Sequence, residues 1–416
     1  MKKGYVSKAL IATALLGAVC GSPAMAGGGP VSMEALQRQV QDLINQNKQL
    51  TQRVGELEGK MAETNAKTAE QFKALDKQDE KIDPKKISEY VTLSGLVEVA
   101  FATGDDFAGE NFNSFDVSSV ELGLDIKATD WASGHILVKY EEDGDDDEFT
   151  IDEATITLGD TEKFPLYLTA GKFYMPFGNF ETNMIQDPLT LEIGEINDTG
   201  AAIGFETNGF TAAVYGYKGM DEADVNDPNY DPDGSYTDMG YGFMAGYGYK
   251  KDDISFNGGL SWTSNMADSD GAIADAFDAA GLDAINETVS GFGAHVGAGF
   301  GPVSFIGEYV TALDEFALAE IEFLGQGAEP EAWNVELAYT VELLNRETVF
   351  AIGWQGTDEA VAIGLPESRY IASAGMEIIP HTVLTLEYFY DNDYDVEDGG
   401  TGDNANTFTA QLAYEF

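Results

Sequence analysis

From Val91 to the end of the chain, apolar and polar positions alternate with a period of two, segment after segment. Successive side chains of a β-strand point to opposite faces, so this spacing calls for strands with one apolar and one polar face. Val91, Leu93, Val97, Val99 and Phe101 share one face, and Thr92, Ser94, Glu98 and Ala100 the other. Val120, Leu122, Leu124 and Ile126 alternate with Glu121, Gly123, Asp125 and Lys127. Ile136, Val138 and Tyr140 alternate with His135, Lys139 and Glu141, and Phe256, Leu260 and Trp262 with Ser255, Asn257, Ser261 and Thr263. A soluble sandwich shows the same alternation, but it needs a second sheet over its apolar face and usually has shorter strands. These segments run about 9–12 residues, the length that crosses a bilayer at a tilt.

The connections point the same way. Tight turns at Thr129 with Asp130, Asn208 with Gly209, Lys250 to Asp253, Gly301 with Pro302 and Pro380 with His381 alternate with long acidic loops. Short turns on one side and long loops on the other are the outer-membrane pattern, and the segments number about 16, an even count as single-chain bacterial barrels require. The boundaries are least defined over 151–173 and 335–355. The last strand sets Phe408, Ala410, Leu412, Tyr414 and Phe416 outward against Thr409, Gln411, Ala413 and Glu415 inward. Pairing it with the Val91 strand would remove both exposed edges. The expected fold is an all-β transmembrane barrel of about 16 antiparallel strands over 91–416, behind a short N-terminal α-helical coiled coil.

Ahead of the strands, Lys2, Lys3 and Lys8 precede an apolar run from Ala9 to Val19 and then Pro23, Ala24, Met25 and Ala26. This has the form of a secretory signal peptide, 1–26. Its apolar run is roughly half of the ~20 residues a spanning helix needs. Val19 stands where a lipoprotein signal would place a small residue before the cysteine, so Cys20 is expected to leave with the signal, taking with it any disulfide, thiolate or thiol chemistry. A glycine-rich linker, 27–33, leads into a heptad stretch, 34–82. Val40, Asn47, Val54 and Met61 occupy one core position and Leu36, Leu43, Leu50 and Leu57 the other. Such a seam suits parallel self-association with Asn47 fixing the register, which makes Leu36, Val40, Leu43, Asn47, Leu50, Val54 and Leu57 the candidate trimerisation residues. One amphipathic helix lying on another surface is the other reading of the same spacing. Asp83 and Pro84 end the helix and open a linker, 83–90.

The chain holds 22 Lys and Arg, three of them in the signal segment, against 73 Asp and Glu. Nucleic acid is therefore excluded as a partner. Such a surface attracts cations, including the divalent ions that bridge outer-membrane lipid headgroups, or serves as a salt-adapted solubility device. The acidic runs Glu141, Glu142, Asp143, Asp145, Asp146, Asp147, Glu148 and Asp221 to Asp233 fall on outer loops, where they could meet divalent cations, though none has EF-hand spacing. His135, His295 and His381 lie far apart. No nucleophile elbow, zinc-protease, phosphate-loop or haem-attachment motif occurs, so neither an enzyme nor a cofactor is expected.

The longest loop punctuated by glycine and proline follows the fifth strand, from Gly171 through Pro176 and Pro188 to Glu195. In a barrel of this size it is the third outer loop; folded inward, it would narrow the lumen and select by diameter and charge. Lys172, Tyr174, Met175, Pro176, Phe177, Phe180, Asp187, Pro188, Glu192 and Glu195 are the candidate constriction residues. Glu98, Glu121, Asp125, Lys139 and Glu141 are the candidate pore-facing charges. An ordinary surface loop stiffened by its prolines is the alternative.

With these features the chain resembles the siderophore porins of the LbtU type, proteobacterial outer-membrane barrels. The resemblance is carried by the signal peptide, the coiled coil, the opening Val91 to Phe101, the run Gly171-Lys172-Phe173-Tyr174-Met175-Pro176-Phe177-Gly178, the segment Asp187-Pro188-Leu189-Thr190, and Gly204-Phe205 through Asn208-Gly209-Phe210. It implies a passive or ligand-selective route for small solutes, ferric siderophores among them, with no plug domain. An energised receptor would need about 22 strands and a plug. A phosphate-selective porin would need a ladder of basic residues, and few candidates face inward: Lys127, Lys139, Lys172 and Arg369. The expected assembly is a homotrimer in outer-membrane lipid with its coiled coil in the periplasm. A structural envelope tether, with the barrel as anchor, is the competing reading.

Overall fold

The computed structural model describes Lys48 and residues 90–142, 149–222, 239–282 and 284–416. The signal peptide, the seven coiled-coil seam residues and most of the two acidic runs lie outside the described residues. The chain divides into two units, Met1–Asp83 and Pro84–Phe416, and the second carries the barrel.

Sixteen antiparallel strands close into one barrel in chain order. They are β1 (Val91–Asp105), β2 (Asn111–Thr129), β3 (Ala132–Tyr140), β4 (Thr150–Gly159), β5 (Leu166–Tyr174), β6 (Asn197–Thr207), β7 (Phe210–Lys218), β8 (Met239–Lys251), β9 (Ile254–Thr263), β10 (Gly291–Phe300), β11 (Val303–Ala312), β12 (Glu331–Leu343), β13 (Arg346–Asp358), β14 (Ser368–Ile379), β15 (Thr382–Asn392) and β16 (Asn404–Glu415). Closure is made by β1 on β16, from Leu96 opposite Glu415 to Asp105 opposite Asn406. Gly95 and Phe416 exchange both backbone hydrogen bonds at 3.0 Å just below. No edge is left to pair with another chain or to face lipid unsatisfied.

The alternation becomes an inside and an outside. Leu93, Ile156, Ile203, Val214, Leu260 and Ile352 are each more than half exposed around the exterior, while Ser261, Thr263, Thr407 and Thr409 are buried on the inner face. An exterior that apolar is stable only in hydrocarbon. Among the described residues no helix is long and apolar enough to cross a membrane.

One expectation is corrected here. Strand lengths exceed the expected span, with β1 at 15 residues and β2 at 19. Their hairpin continues to Asp105 opposite Asn111, with polar residues interspersed with Phe101, Phe112 and Phe115, since extending the ladder needs only backbone pairing. The loop after β5, 175–196, is a long connection that both glycine and proline punctuate; the longer connection 264–290 after β9 has no proline. The poorly defined segments resolve into the turn 160–165 between β4 and β5 and the two-residue turn Leu344 and Asn345 between β12 and β13. Both residues of that turn have positive φ, +53° and +58°. Leucine there carries none of the glycine or Asn-Gly signal that marks such turns.

The apolar core sits at the long-loop end. There the loop 175–196 with helix α1 (Leu189–Gly194), the connection 264–290 with helix α2 (Ala272–Ala280), and segments 313–330 and 359–367 bury Phe177, Leu189, Ile193, Met266, Ile273, Phe277, Phe316 and Ile363 together.

Candidate functional site, an inward-folded constriction loop

The loop begins where β5 ends. Met175 N–H donates to Ile196 O at 2.7 Å and closes its base. Gly178 and Phe180 both have positive φ, +74° and +52°. The Phe180 ring fills the space over two glycines, so that a Cβ on Gly178 would stand 2.2 Å from the ring and one on Gly194 3.0 Å. The missing side chains let the chain fold back on itself. Pro188 stands in extended conformation before α1, where its fixed φ suits a helix start.

From this base the loop is fastened along the inner wall. Gly178 N–H donates to Ser261 Oγ of β9 at 3.0 Å. Asn179 and Phe180 N–H donate to the two carboxylate oxygens of Glu308 in β11, at 2.6 and 3.0 Å. The Thr182 hydroxyl and Asn183 N–H donate to Glu336 in β12, at 2.6 and 2.8 Å. Ile185 and Gln186 N–H donate to Glu387 in β15, at 2.5 and 2.9 Å. Leu189 N–H reaches Gln355 Oε1 of β13 at 3.2 Å, the Ser373 hydroxyl of β14 donates to Asn183 O at 3.0 Å, and the Thr190 hydroxyl donates to Glu308 at 3.0 Å. The underside of α1 buries Leu189 and Ile193 in the loop core.

The structure divides the ten candidate loop residues. Lys172 and Tyr174 belong to β5 itself; Lys172 Nζ donates to Ile151 O at 3.0 Å and the Tyr174 hydroxyl to Asp152 at 3.1 Å. Met175, Phe177 and Pro188 are buried, Pro176 is half-buried, and Phe180 packs over its glycines. Apolar side chains leave water for the loop core, so these stabilise the loop and do not line a passage. Asp187, Glu192 and Glu195 remain. Asp187 is exposed, and Glu192 and Glu195 are half-buried. Burial pushes the Glu195 carboxyl up to about 8, with Asp270 and Asp187 adding to it. Desolvation inside the lumen likewise raises Asp187 and Glu192 from their ordinary values.

Of the wall charges, Lys139 pairs with Glu141 at 3.0 Å, and both act electrostatically on Asp187. Glu98 has Glu121, Glu415, Asp187 and Lys139 as its electrostatic neighbours, so Glu98 faces the loop, and Glu121 stands beside it on the wall among Lys139, Asp152 and Glu141. Asp125 stands apart. It bonds His135 at 2.8 Å and lines a separate cavity of about 670 Å³ with Lys127, Asp160 and Lys163, near the short turns. Arg369 is nine-tenths buried in a bidentate pair with Asp391, at 2.8 and 2.9 Å, with its guanidinium 4.6 Å from the Phe389 ring centre. It is spent on the wall. Acidic groups dominate the face between loop and wall, with Lys139 as its paired cation.

Sequence reasoning missed Glu308, Glu336, Glu387, Gln355 and Ser373, and placed Ser261 on the polar face without its loop partner. Each occupies an inward position of its strand, the same pattern that Glu98 and Glu121 show, so alternation finds the face but not the partner.

No protein-family model matches the chain. Among solved structures it is similar to OprB of Pseudomonas putida (TM-score 0.55, 11% identity, covering 80% of this chain and 96% of that one). It is also similar to the anion-selective porin of Comamonas acidovorans (TM-score 0.53, 12%, covering 78% and 99%) and to the outer membrane channel DcaP of Acinetobacter baumannii (TM-score 0.51, 17%, covering 78% and 97%). At such identities the likeness is one of fold, a closed porin-type barrel. A UPF0422 protein of Legionella pneumophila strain Lens is 26% identical over 371 residues, covering 78% of this chain and 66% of that protein. A UPF0422 protein of Coxiella burnetii strain RSA 493 is 32% identical over 323 residues, covering 76% of this chain and 67% of that protein. The chain therefore spans about two thirds of the relatives it matches, and it belongs to the UPF0422 family.

Proposed function

We propose that the protein is an outer-membrane porin giving diffusion of small solutes, with the loop 175–196 as its constriction and a preference for cations. One observation carries this reading: a loop fastened to the inner wall at successive strands, whose free carboxylates include Glu181, Asp187, Glu192 and Glu195, with Glu98 of the wall beside Asp187. A ring of fixed carboxylates raises local cation concentration and repels anions. Lys139 is offset by Glu141, and Arg369 by Asp391. The solved porins and channels sharing the fold support the porin class. The Comamonas porin, described as anion-selective, would differ from this chain in the sign of its filter.

Reconstitution in planar bilayers tests this reading. In a KCl gradient at low salt, the reversal potential is expected to show cation preference, weaker at about 1 M, where the Debye length is about 3 Å. Anion selectivity would contradict it. The resemblance to siderophore porins suggests iron chelates as solutes, and the acidic constriction favours neutral or cationic chelates over anionic ones. Uptake of ferric chelates of each charge into proteoliposomes measures that preference. Faster entry of the anionic complex would count against it. The heptad stretch supports a homotrimer assembled through the seam Leu36 to Leu57. Deleting 34–82 is expected to retain conductance per barrel and weaken the trimer in detergent, as read by light scattering.

A further inference from the structure

Glu308, Glu336 and Glu387 are buried, at 5%, 0% and 2% exposure, and none forms an ion pair among the described residues. Their hydrogen-bond donors recur at three-residue steps, 179–180, 182–183 and 185–186, while the acceptors move along the wall from β11 through β12 to β15. Each carboxylate takes at least two convergent loop donors shared between its two oxygens: two for Glu387, and three each for Glu308, with the Thr190 hydroxyl, and for Glu336, with the Asn183 side-chain amide. Only a carboxylate does this well: a carboxamide of the same shape offers one accepting oxygen and turns an N–H₂ donor toward a second donor. Bonds to a charged acceptor are roughly twice as strong as neutral ones, and with the sites closed to water nothing else could satisfy the loop amides. Asp187 follows directly on the last fastened residue, Gln186. Where that acid stands is therefore set by Glu387.

We propose that Glu308, Glu336 and Glu387 are positioning residues that fix both the cross-section and the ion selectivity of the pore by binding the loop backbone. They meet no solute and act through the loop. The proposal rests on the porin reading. It assigns these inward glutamates a role opposite to that of Glu98 and Glu121, which are left for the passing ion.

The test compares the full-length wild type with Glu387→Gln and with Glu336→Gln combined with Glu387→Gln, in planar bilayers. Heat-modifiable gel mobility confirms that each barrel is closed. The expected result is a conductance about two-fold higher with noisier open levels, because a released loop widens the narrowest section, together with a loss of cation preference as Asp187 moves from its place. A merely structural role would lower the thermal stability of the barrel without moving the reversal potential. Closed variant barrels with wild-type conductance and selectivity would overturn the proposal. A wild type that does not conduct at all would instead overturn the porin reading. If the double variant fails to insert, Glu387→Gln alone is read in the same way. Rescue is the second measurement. The Ser373 hydroxyl lies 3.0 Å from Asn183 O, so Asn183→Cys with Ser373→Cys, added to the double variant and oxidised, is expected to restore the narrow, cation-preferring state until a reductant is added. Restoration by oxidation supports loop release as the cause; unchanged conductance on oxidation, with the cross-link verified, counts against it.

Discussion

Glu195 and Arg369 show how one barrel interior treats ionisable groups in opposite ways. Glu195 is unpaired, half-buried and surrounded by acids, so its carboxyl is neutral below about 8 and charged above it. Charge at the constriction therefore grows as pH rises, and cation preference is expected to increase from roughly pH 6 to 9, a rise that Glu195→Gln flattens in reversal-potential measurements. The same shift works against folding at high pH. An unfolded glutamate ionises near about 4.3, so stability held by the neutral form is complete below that value and lost as pH passes about 8. Arg369 is buried with Asp391 in two parallel hydrogen bonds between directly paired residues of β14 and β15. Arg369→Gln leaves a buried, uncompensated carboxylate, and is expected to cost about 3–5 kcal/mol in urea unfolding from lipid or detergent. The sequence placed Arg369 correctly on the inner face as a possible pore cation. Its partner, 22 residues away across a hairpin, removes it from that role.

At the scale of elements, the strands are legible and the loops are not. The alternation in β2, β3, β9 and β16 is a local code, because each side chain's face follows from its position along an extended chain. The turn at Asn208 and Gly209 carries its signal in the residue types, and both residues adopt positive φ, +48° and +85°. Helix α2 also has a local signal, an alanine-rich run ending at Gly281 with φ +67°. What that run cannot show is that Ile273 and Phe277 would bury themselves against the constriction loop and the 313–330 segment. Phe277 meets Phe316 edge to face, with ring centres 6.2 Å apart. Phe277→Ala is expected to cost this loop core about 3–5 kcal/mol. Limited proteolysis of intact, membrane-embedded protein checks it: cleavage within 264–330 should accelerate while the barrel keeps its heat-modifiable mobility.

Over the whole molecule, the barrel and its closure follow from the sequence because they answer a requirement that any such sequence meets. Segments with one apolar face and no second sheet to cover it must turn that face to hydrocarbon, and in hydrocarbon every backbone group must be paired, so β1 has to join β16. An even strand count and the sorting of turns from long loops follow from the same closure. The interior of the lumen has no such requirement. An inward glutamate looks the same in the sequence whether it meets water, an ion or a backbone amide. Glu308, Glu336 and Glu387 find their amides 129, 153 and 202 residues away along the chain. Closing loops of that length is decided by how the whole barrel brings its walls together, and no local spacing encodes it. The amino-acid sequence alone thus determined a lipid-facing barrel with an acidic lumen. Only the tertiary structure decided which of its acids hold the constriction loop in place and which are left to face what passes.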